Sequence, residues 1–365
     1  MPGNRRDARP HSDPIAEGAL LAVVAAVLFG AATPVIRWAG TDAGPFPTAA
    51  LLYAGASIAT LPLSLRPRRS EAPVRAQHAR RLLVIALFGG ALAPASFAWG
   101  LQRVGGTSAS LLLNFEAIFT ALIAWRLYGE SLGSRVLGAL ALTSAGGAVL
   151  VLAARSLNDG GHRAVTWGAA AVVAATLGWA FDNALTRPLA DLDPIQVVRA
   201  KGALGLLIAL VMAVALGQGF GAAFHALALL ASGAVGYGLS LRLYLLAQRR
   251  IGAARTGSLF ALAPFVGAAA AWALGERARG LPTMIAGVLF GSGVYLHATE
   301  RHQHRHTHAR IAHEHAHRHG DGHHDHPHDP AVIGQHSHFH IHDEQTHQHA
   351  HGPDVHHTHR HEADA

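Results

Sequence analysis

Apolar residues run along this chain in long blocks with few polar interruptions. Ten blocks approach or reach the about 20 residues that a membrane-crossing helix needs: 15–36, 46–65, 82–101, 107–127, 135–154, 166–186, 195–216, 224–247, 255–274 and 281–298. They lack the polar face that a surface helix of a soluble protein carries, and the connections between them are short. The pattern predicts an all-α integral membrane protein, ten transmembrane helices in a compact bundle within a lipid bilayer. Arg5, Arg6 and Arg9 precede the first block, but that block exceeds the about 7–15 apolar residues of a signal peptide and reads as the first span.

After Glu300 the pattern changes. Histidine recurs at mostly every second position, among Asp, Glu, Gln, Gly and Pro. Four segments follow: a cytoplasmic N-terminal segment over 1–14, membrane units over 15–154 and 166–298, and a histidine-rich tail over 299–365. With so few apolar residues the tail cannot bury a core and is expected to be disordered.

Composition sharpens this division. Only 14% of the 365 residues are charged, against about 25% in soluble domains. Residues 1–299 hold 24 Lys/Arg and 12 Asp/Glu, whereas 300–365 hold 5 and 10 together with 23 of the 28 histidines. The net charge of +7 is a sum over two unlike bodies. The absence of cysteine excludes disulfides, Cys-based zinc sites and thiol catalysis.

Arginines set the expected orientation. Arg66, Arg68, Arg69, Arg75, Arg80 and Arg81 crowd the loop after the second span, and Arg249, Arg250 and Arg255 lie between the eighth and ninth. The opposite side holds Arg37, Arg103, Arg155, Arg163, Arg277 and Arg279. Both termini are therefore expected in the cytoplasm, with the body in a bacterial plasma (inner) membrane.

The chain also matches itself. At an offset of 146 residues "LQRVGGTSAS" (101–110) falls on "AQRRIGAART" (247–256), and Gly129-Glu130 on Gly275-Glu276. "GALLAVVAAVLFGAATPVIR" (18–37) matches "GAAAVVAATLGWAFDNALTR" (168–187) at a nearby offset. Each copy holds five spans, and an odd number inverts the second copy, an arrangement common among secondary transporters.

The stretches "SLLLNFEAIFTALIAWRLYGE" (110–130) and "TGSLFALAPFVGAAAAWALGE" (256–276) both resemble the fourth-helix signature of EamA-type transporters of the drug/metabolite transporter superfamily. "LGALALTSAGGAVLVL" (137–152) and "AGVLFGSGVYL" (286–296) resemble the small-residue helices that follow it, and "WAFDNALTR" (179–187) with "KGALG" (201–205) resembles a bacterial branch whose members often end in histidine-rich tails. The resemblance implies two inverted EamA-like five-helix repeats and alternating access through a central cavity without ATP hydrolysis. It supplies no substrate. Arg242 departs from the pattern, at a position expected to be apolar, and leaves the charge of the cavity open.

Ionisable residues within a span cost about 2.5–3.5 kcal/mol each on insertion scales and usually pair or mark function. Glu116 lies mid-span, where a carboxylate costs most and suits proton coupling or cation binding, as the coupling or substrate carboxylate. At about 1.5 Å of rise per residue, Asp182 and Lys201 fall at nearly the same depth on consecutive helices and can pair, either as a static tie or as part of the site. Arg242 can balance Glu116 or reach the surface, as Arg199 is expected to do. Asn114 and Asn183 can extend either site. Glu130 and Glu276, at equivalent helix ends, read as structural. Gly217, Gly219 and Gly221 follow no strand, which argues against a nucleotide loop, and His225 reads as incidental.

Imidazole binds zinc, nickel, cobalt and copper(II) well, and alternate residues of an extended chain share a face. His302, His304, His306 and His308 thus form one ligand row, His313, His315, His317 and His319 another, and His336, His338, His340 and His342 a third. His313, Glu314 and His317 spell H-E-x-x-H, but in so histidine-rich a segment the pattern follows from composition, and a protease needs it on a folded helix. The chain reads as a non-enzymatic carrier of a small metabolite or drug, proton coupling being one option, with divalent ions bound at the tail. The alternative is a divalent-metal exporter whose tail gathers the ion. Neither a required cofactor nor a nucleic-acid partner is expected, and a homodimer is left open.

Overall fold

The computed structural model describes residues 14–64, 71–128, 134–156, 162–189, 192–276, 280–298, 302–308, 311–317, 336–342 and 345–351. Within them the apolar blocks are helices: α1 Pro14–Ala39, α2 Pro45–Ser64, α3 Ala79–Ile85, α4 Ala93–Val104, α5 Gly106–Leu112, α6 Phe115–Tyr128, α7 Ser134–Ser156, α8 His162–Thr186, α9 Pro194–Ala215, α10 Ala223–Ser232, α11 Ser240–Phe260, α12 Ala263–Ala273 and α13 Leu281–Ala298. Among the described residues, eight stretches are long and apolar enough to cross a membrane: Ala16–Ala39, Ala76–Val104, Gly106–Leu127, Ser134–Ala153, Arg163–Leu189, Pro194–Ala215, Ala223–Ile251 and Thr256–Ala273. Of the other two expected spans, α2 is a 20-residue helix and Leu281–Leu296 a shorter apolar one.

Several expected spans are not plain helices. A π-helical segment, Ala86–Leu92, joins α3 to α4, and a second, Gly233–Leu239, joins α10 to α11. The expected span 107–127 breaks at Leu113 and Asn114, where the Asn114 side chain donates to the Leu111 carbonyl at 2.8 Å and competes with the helix ladder. The expected span 255–274 breaks at Ala261 and Leu262, just before Pro264 opens α12.

Alanine and glycine are frequent in the interior, and many large apolar residues face outward. Ala22, Ala25, Ala26, Ala49, Ala50 and Ala209 are fully buried, whereas Val214 is 72% and Phe224 69% exposed. Helices in a bilayer gain no hydrophobic drive from each other, so close backbone approach through small residues holds them together. Gly55 packs against the Leu230 carbonyl, and Gly233 against the backbone of Leu52, so a side chain at either position would meet main chain. That contact seats α2 on the second π-helical segment. Elsewhere α1 lies along α11 and α12, α2 along α9, α4 and α6 along α8, and α7 along α13.

Polar contacts fix both ends of the bundle. At one end Asp193 N–H donates to the Ala72 carbonyl at 2.8 Å, and Asp193 caps α9 by accepting from Ile195 N–H at 2.9 Å. There Arg249 pairs with Glu71 at 2.7 Å, and Arg250 with Glu17 at 2.9 Å. At the other end Gly105, at φ 86°, turns the chain from α4 into α5. The N–H groups of Gly106 and Thr107, at the start of α5 where the helix offers them no partner, then donate to the two oxygens of Glu276 at 3.0 and 2.9 Å. Arg37 contacts the same carboxylate. Glu276 is thus structural, as expected; Glu130 lies outside the described residues.

The tail departs from expectation. It contains β1 His302–His308, β2 Ile311–His317, β3 His336–His342 and β4 Gln345–His351. β1 pairs antiparallel with β4, and β2 with β3. Disorder was expected from the lack of apolar residues, but alternation at every second position is also the period of a strand. In this register His313 faces His340, His315 faces His338 and His317 faces His336.

Candidate functional site

The bundle encloses a cavity lined by Phe29 of α1, Tyr53 of α2, Glu116 of α6, Trp179, Asp182 and Asn183 of α8, and Lys201 of α9. Gly236 and Tyr237 of the second π-helical segment and Ser240, Leu241, Tyr244 and Phe260 of α11 complete it. The wall therefore draws on helices from both ends of the sequence.

Two of the three charges in this wall neutralise each other. The Lys201 ammonium contacts the Asp182 carboxylate directly, and both residues are buried. Thr186 Oγ1 donates to the other Asp182 oxygen at 3.0 Å. Burying a pair this way is tolerable only because each charge has a partner. Glu116 sits apart from that pair, and its Oε1 accepts from Asn183 Nδ2 at 2.7 Å. Asn183 follows Asp182 in sequence, so one turn of α8 serves both acidic groups.

The structure thus brings four of the six expected site residues into one cavity: Glu116, Asp182, Lys201 and Asn183. Asn114 is buried at the α5–α6 break, bonded to Leu111, and does not line it. Arg242 is half-buried on α11 and is likewise not part of the lining. Arg199 is exposed, as expected. Of the expected tail ligands, His319 lies outside the described residues, and the others lie on β1, β2 and β3. Among the described residues no group of three or more His, Asp or Glu side chains gathers as a metal site.

Six aromatic rings of the lining were not anticipated: Phe29, Tyr53, Trp179, Tyr237, Tyr244 and Phe260. They touch in series. Phe29 lies 6.1 Å from Trp179, 5.4 Å from Tyr237 and 5.5 Å from Phe260, while Tyr53 lies 5.6 Å from Tyr237 and Tyr244 5.0 Å from Phe260. A signal for them existed. Tyrosine prefers the membrane interface, yet four of the chain's five tyrosines stand inside apolar runs, three of them, Tyr53, Tyr237 and Tyr244, in the lining.

The π-helical turns shape the wall. Such a turn inserts an extra residue and takes a carbonyl out of the regular ladder. Gly89 O, in the first one, accepts from Tyr53 Oη at 2.5 Å and from Trp179 Nε1 at 3.2 Å, which fixes both rings. The second one carries Tyr237.

A separate cluster closes one end of the bundle. Asp42, between α1 and α2, accepts from Ala222 N–H at 2.8 Å and contacts His225 Nδ1 at 2.9 Å. The Ala222 N–H, and then the His225 hydrogen bond, hold the Asp42 carboxyl below the usual carboxylate range. His225 is thus not incidental: it joins the α1–α2 turn to α10, with its ring 4.9 Å from that of Trp38.

Residues 16–153 match the model of the EamA-like transporter family. An uncharacterized transporter of Methanothermobacter thermautotrophicus is 28% identical over 233 residues, which is 63% of this chain and 68% of that protein. A solved crystal structure, described only as that of a protein, superposes with a TM-score of 0.58 at 18% identity, over 76% of this chain and 94% of the other, a likeness of fold alone. These findings bear out the resemblance carried by the helix motifs: over residues 16–153 the chain is similar to the EamA-like transporter family of the drug/metabolite transporter superfamily, and its apolar helices are those of an integral membrane protein.

Proposed function

We propose that the chain is a secondary transporter that carries a small organic solute through the cavity by alternating access, with Glu116 as the coupling or substrate carboxylate. The observation that carries this reading is the cavity itself: a buried carboxylate held by one amide, beside a self-neutralised ion pair, within an aromatic wall built from both halves of the chain. An ionisable group kept within a membrane usually faces a solute or proton path.

Two inverted five-helix repeats, ten spans in all, complete the reading. The first π-helical segment begins at Ala86 and the second at Gly233, and the paired helix breaks begin at Leu113 and Ala261. Both spacings are close to the 146-residue sequence offset, so distortions as well as residues recur. The arginine bias puts both termini in the cytoplasm, and reporter fusions at Ala365 and within 66–81 should both read cytoplasmic. The tail binds divalent ions through its histidine rows and gathers or buffers metal at the cytoplasmic mouth. Metal as the transported solute is less well supported, because Glu116 is the only acidic residue of the lining outside an ion pair, and divalent ions ask for several ligands at once.

The experiment is growth of a deletion strain across amines, amino acids, toxic compounds and metals, followed by flux of the responding solute in proteoliposomes. Glu116→Gln should insert normally and lose flux or its pH dependence. Unchanged flux and pH profile in that variant would overturn the assignment.

A further inference from the structure

The cavity's polar groups divide into those already committed and those still open, and the open ones describe a ligand. Tyr53 Oη and Trp179 Nε1 are spent on Gly89 O, Ser240 Oγ donates to Ala25 O at 2.8 Å, and Asp182 and Lys201 hold each other. Two groups remain. The Glu116 carboxylate has the single Asn183 donor, and Tyr237 Oη is buried without a hydrogen-bond partner, its residue only 6% exposed. A buried hydroxyl left without a partner is costly, and this one stands in the wall of a cavity beside the rings of Phe29 and Tyr53.

The charge inventory of the lining is two carboxylates and one ammonium, so the cavity carries one formal negative charge in excess. Its other surface is largely aromatic. Ring faces attract cations, and more strongly where water is excluded. An anion would meet Glu116 with no uncommitted cation in the lining. A zwitterion would leave its carboxylate without a counterpart, because Lys201 is held by Asp182.

We propose that the ligand of this cavity is a small organic monocation bearing N–H groups, a protonated primary or secondary amine with an apolar or aromatic body, its ammonium donating to Glu116 and Tyr237 Oη while its body lies against Phe29, Tyr244 and Phe260. The proposal rests on the transport reading of the cavity and narrows it to one class. Tyr237 is the specificity residue: its hydroxyl can accept from an N–H but gains nothing from a quaternary ammonium, which has none.

Four related probes test this with the purified full-length protein in detergent: phenethylammonium, phenethyltrimethylammonium, 2-phenylethanol and phenylacetate. Affinities come from tryptophan fluorescence and thermal shift. Phenethylammonium should bind best, and phenylacetate should not bind. Glu116→Gln should weaken phenethylammonium by tenfold or more, since a charge-assisted contact is lost. Tyr237→Phe should bring the primary and quaternary ammonium affinities together, from a difference of about fivefold to tenfold. The melting temperature of that variant without ligand should not fall, because its hydroxyl bonds nothing within the protein. Equal binding of phenethylammonium by Glu116→Gln, or tighter binding of phenylacetate or phenylethanol, overturns the proposal. Proteoliposomes separate the two readings. Glu116-dependent flux of phenylacetate or phenylethanol, without amine flux, keeps transport and defeats the amine class. Amine binding with the stated mutant pattern but no flux of any probe keeps the class and defeats transport.

Discussion

Asn183 Nδ2 donates to Glu116 Oε1 at 2.7 Å, joining α8 to α6 across the cavity wall. Asn183 is the neighbour of Asp182, so the same helical turn that holds the ion pair also sets the position of the remaining carboxylate. Asn183→Ala should leave a buried carboxylate without its donor, at a cost of about 1.5–3 kcal/mol. Asn183→Asp should be worse, since it sets a second acid against the first. Melting temperature and flux, compared across the two variants, check the order; equal stability of Asn183→Asp and wild type would contradict the contact.

Lys201 and Asp182 predict a different pattern. Lys201→Met strands Asp182 in a poorly solvated site and should cost about 1–3 kcal/mol. Asp182→Asn/Lys201→Met removes both charges and should recover most of the lost expression and melting temperature, as neutral replacement of a buried pair commonly does. A double variant that folds but does not transport would give the pair a part in the cycle beyond its tie between α8 and α9.

Gly233 tests the packing. Its missing side chain lets the backbone of Leu52 approach directly. Gly233→Ala should lower the melting temperature and monodispersity of the purified protein, since overpacking of a close contact costs about 1–3 kcal/mol. Gly219→Ala, whose added carbon would meet nothing, is the matched control and should be near neutral.

Asp42 carries a pH prediction. Its folded-state pKa is depressed, chiefly by the Ala222 N–H and then by His225. A depressed carboxylate contributes above its unfolded value, near about 3.9, and loses that contribution as pH falls through the lower folded value. The melting-temperature gap between wild type and Asp42→Asn should therefore not narrow from pH 7 to near 5, and should shrink below the ordinary aspartate range. A gap that closes near pH 6 would assign the effect to some other group.

The tail can be tested apart from the bundle. A chain ending at Glu300 should insert and purify normally, whereas the full chain should bind zinc or nickel at pH 7.5 and release it near pH 5 as imidazoles protonate. In the observed register His336, His338 and His340 face His317, His315 and His313. Replacing either row of three with alanine should then remove a similar share of the bound metal. Loss from one row alone would show that the ligands come from single strands.

Several of these features were legible in the chain because they are local. Hydropathy located the membrane runs, since each helix must satisfy its own backbone in lipid. Helical rise put Asp182 and Lys201 level, and the structure joins them. The partner of Glu116 was harder: nothing in the sequence chose between Asn183 and Asn114, which instead bonds Leu111. The role of His225 was missed because Asp42 lies far away in sequence.

By itself the sequence determined that the chain is a membrane protein, where its helices run and which buried charges need partners, because burial cost acts on each residue separately. Tertiary structure alone decided how the π-helical segments seat against their neighbours and the aromatic wall between Phe29 and Phe260. Those features come from close approach between distant segments, such as Gly55 with Leu230 and Gly233 with Leu52. Which backbones can touch depends on the shapes of both partners, and no single stretch of sequence holds that information.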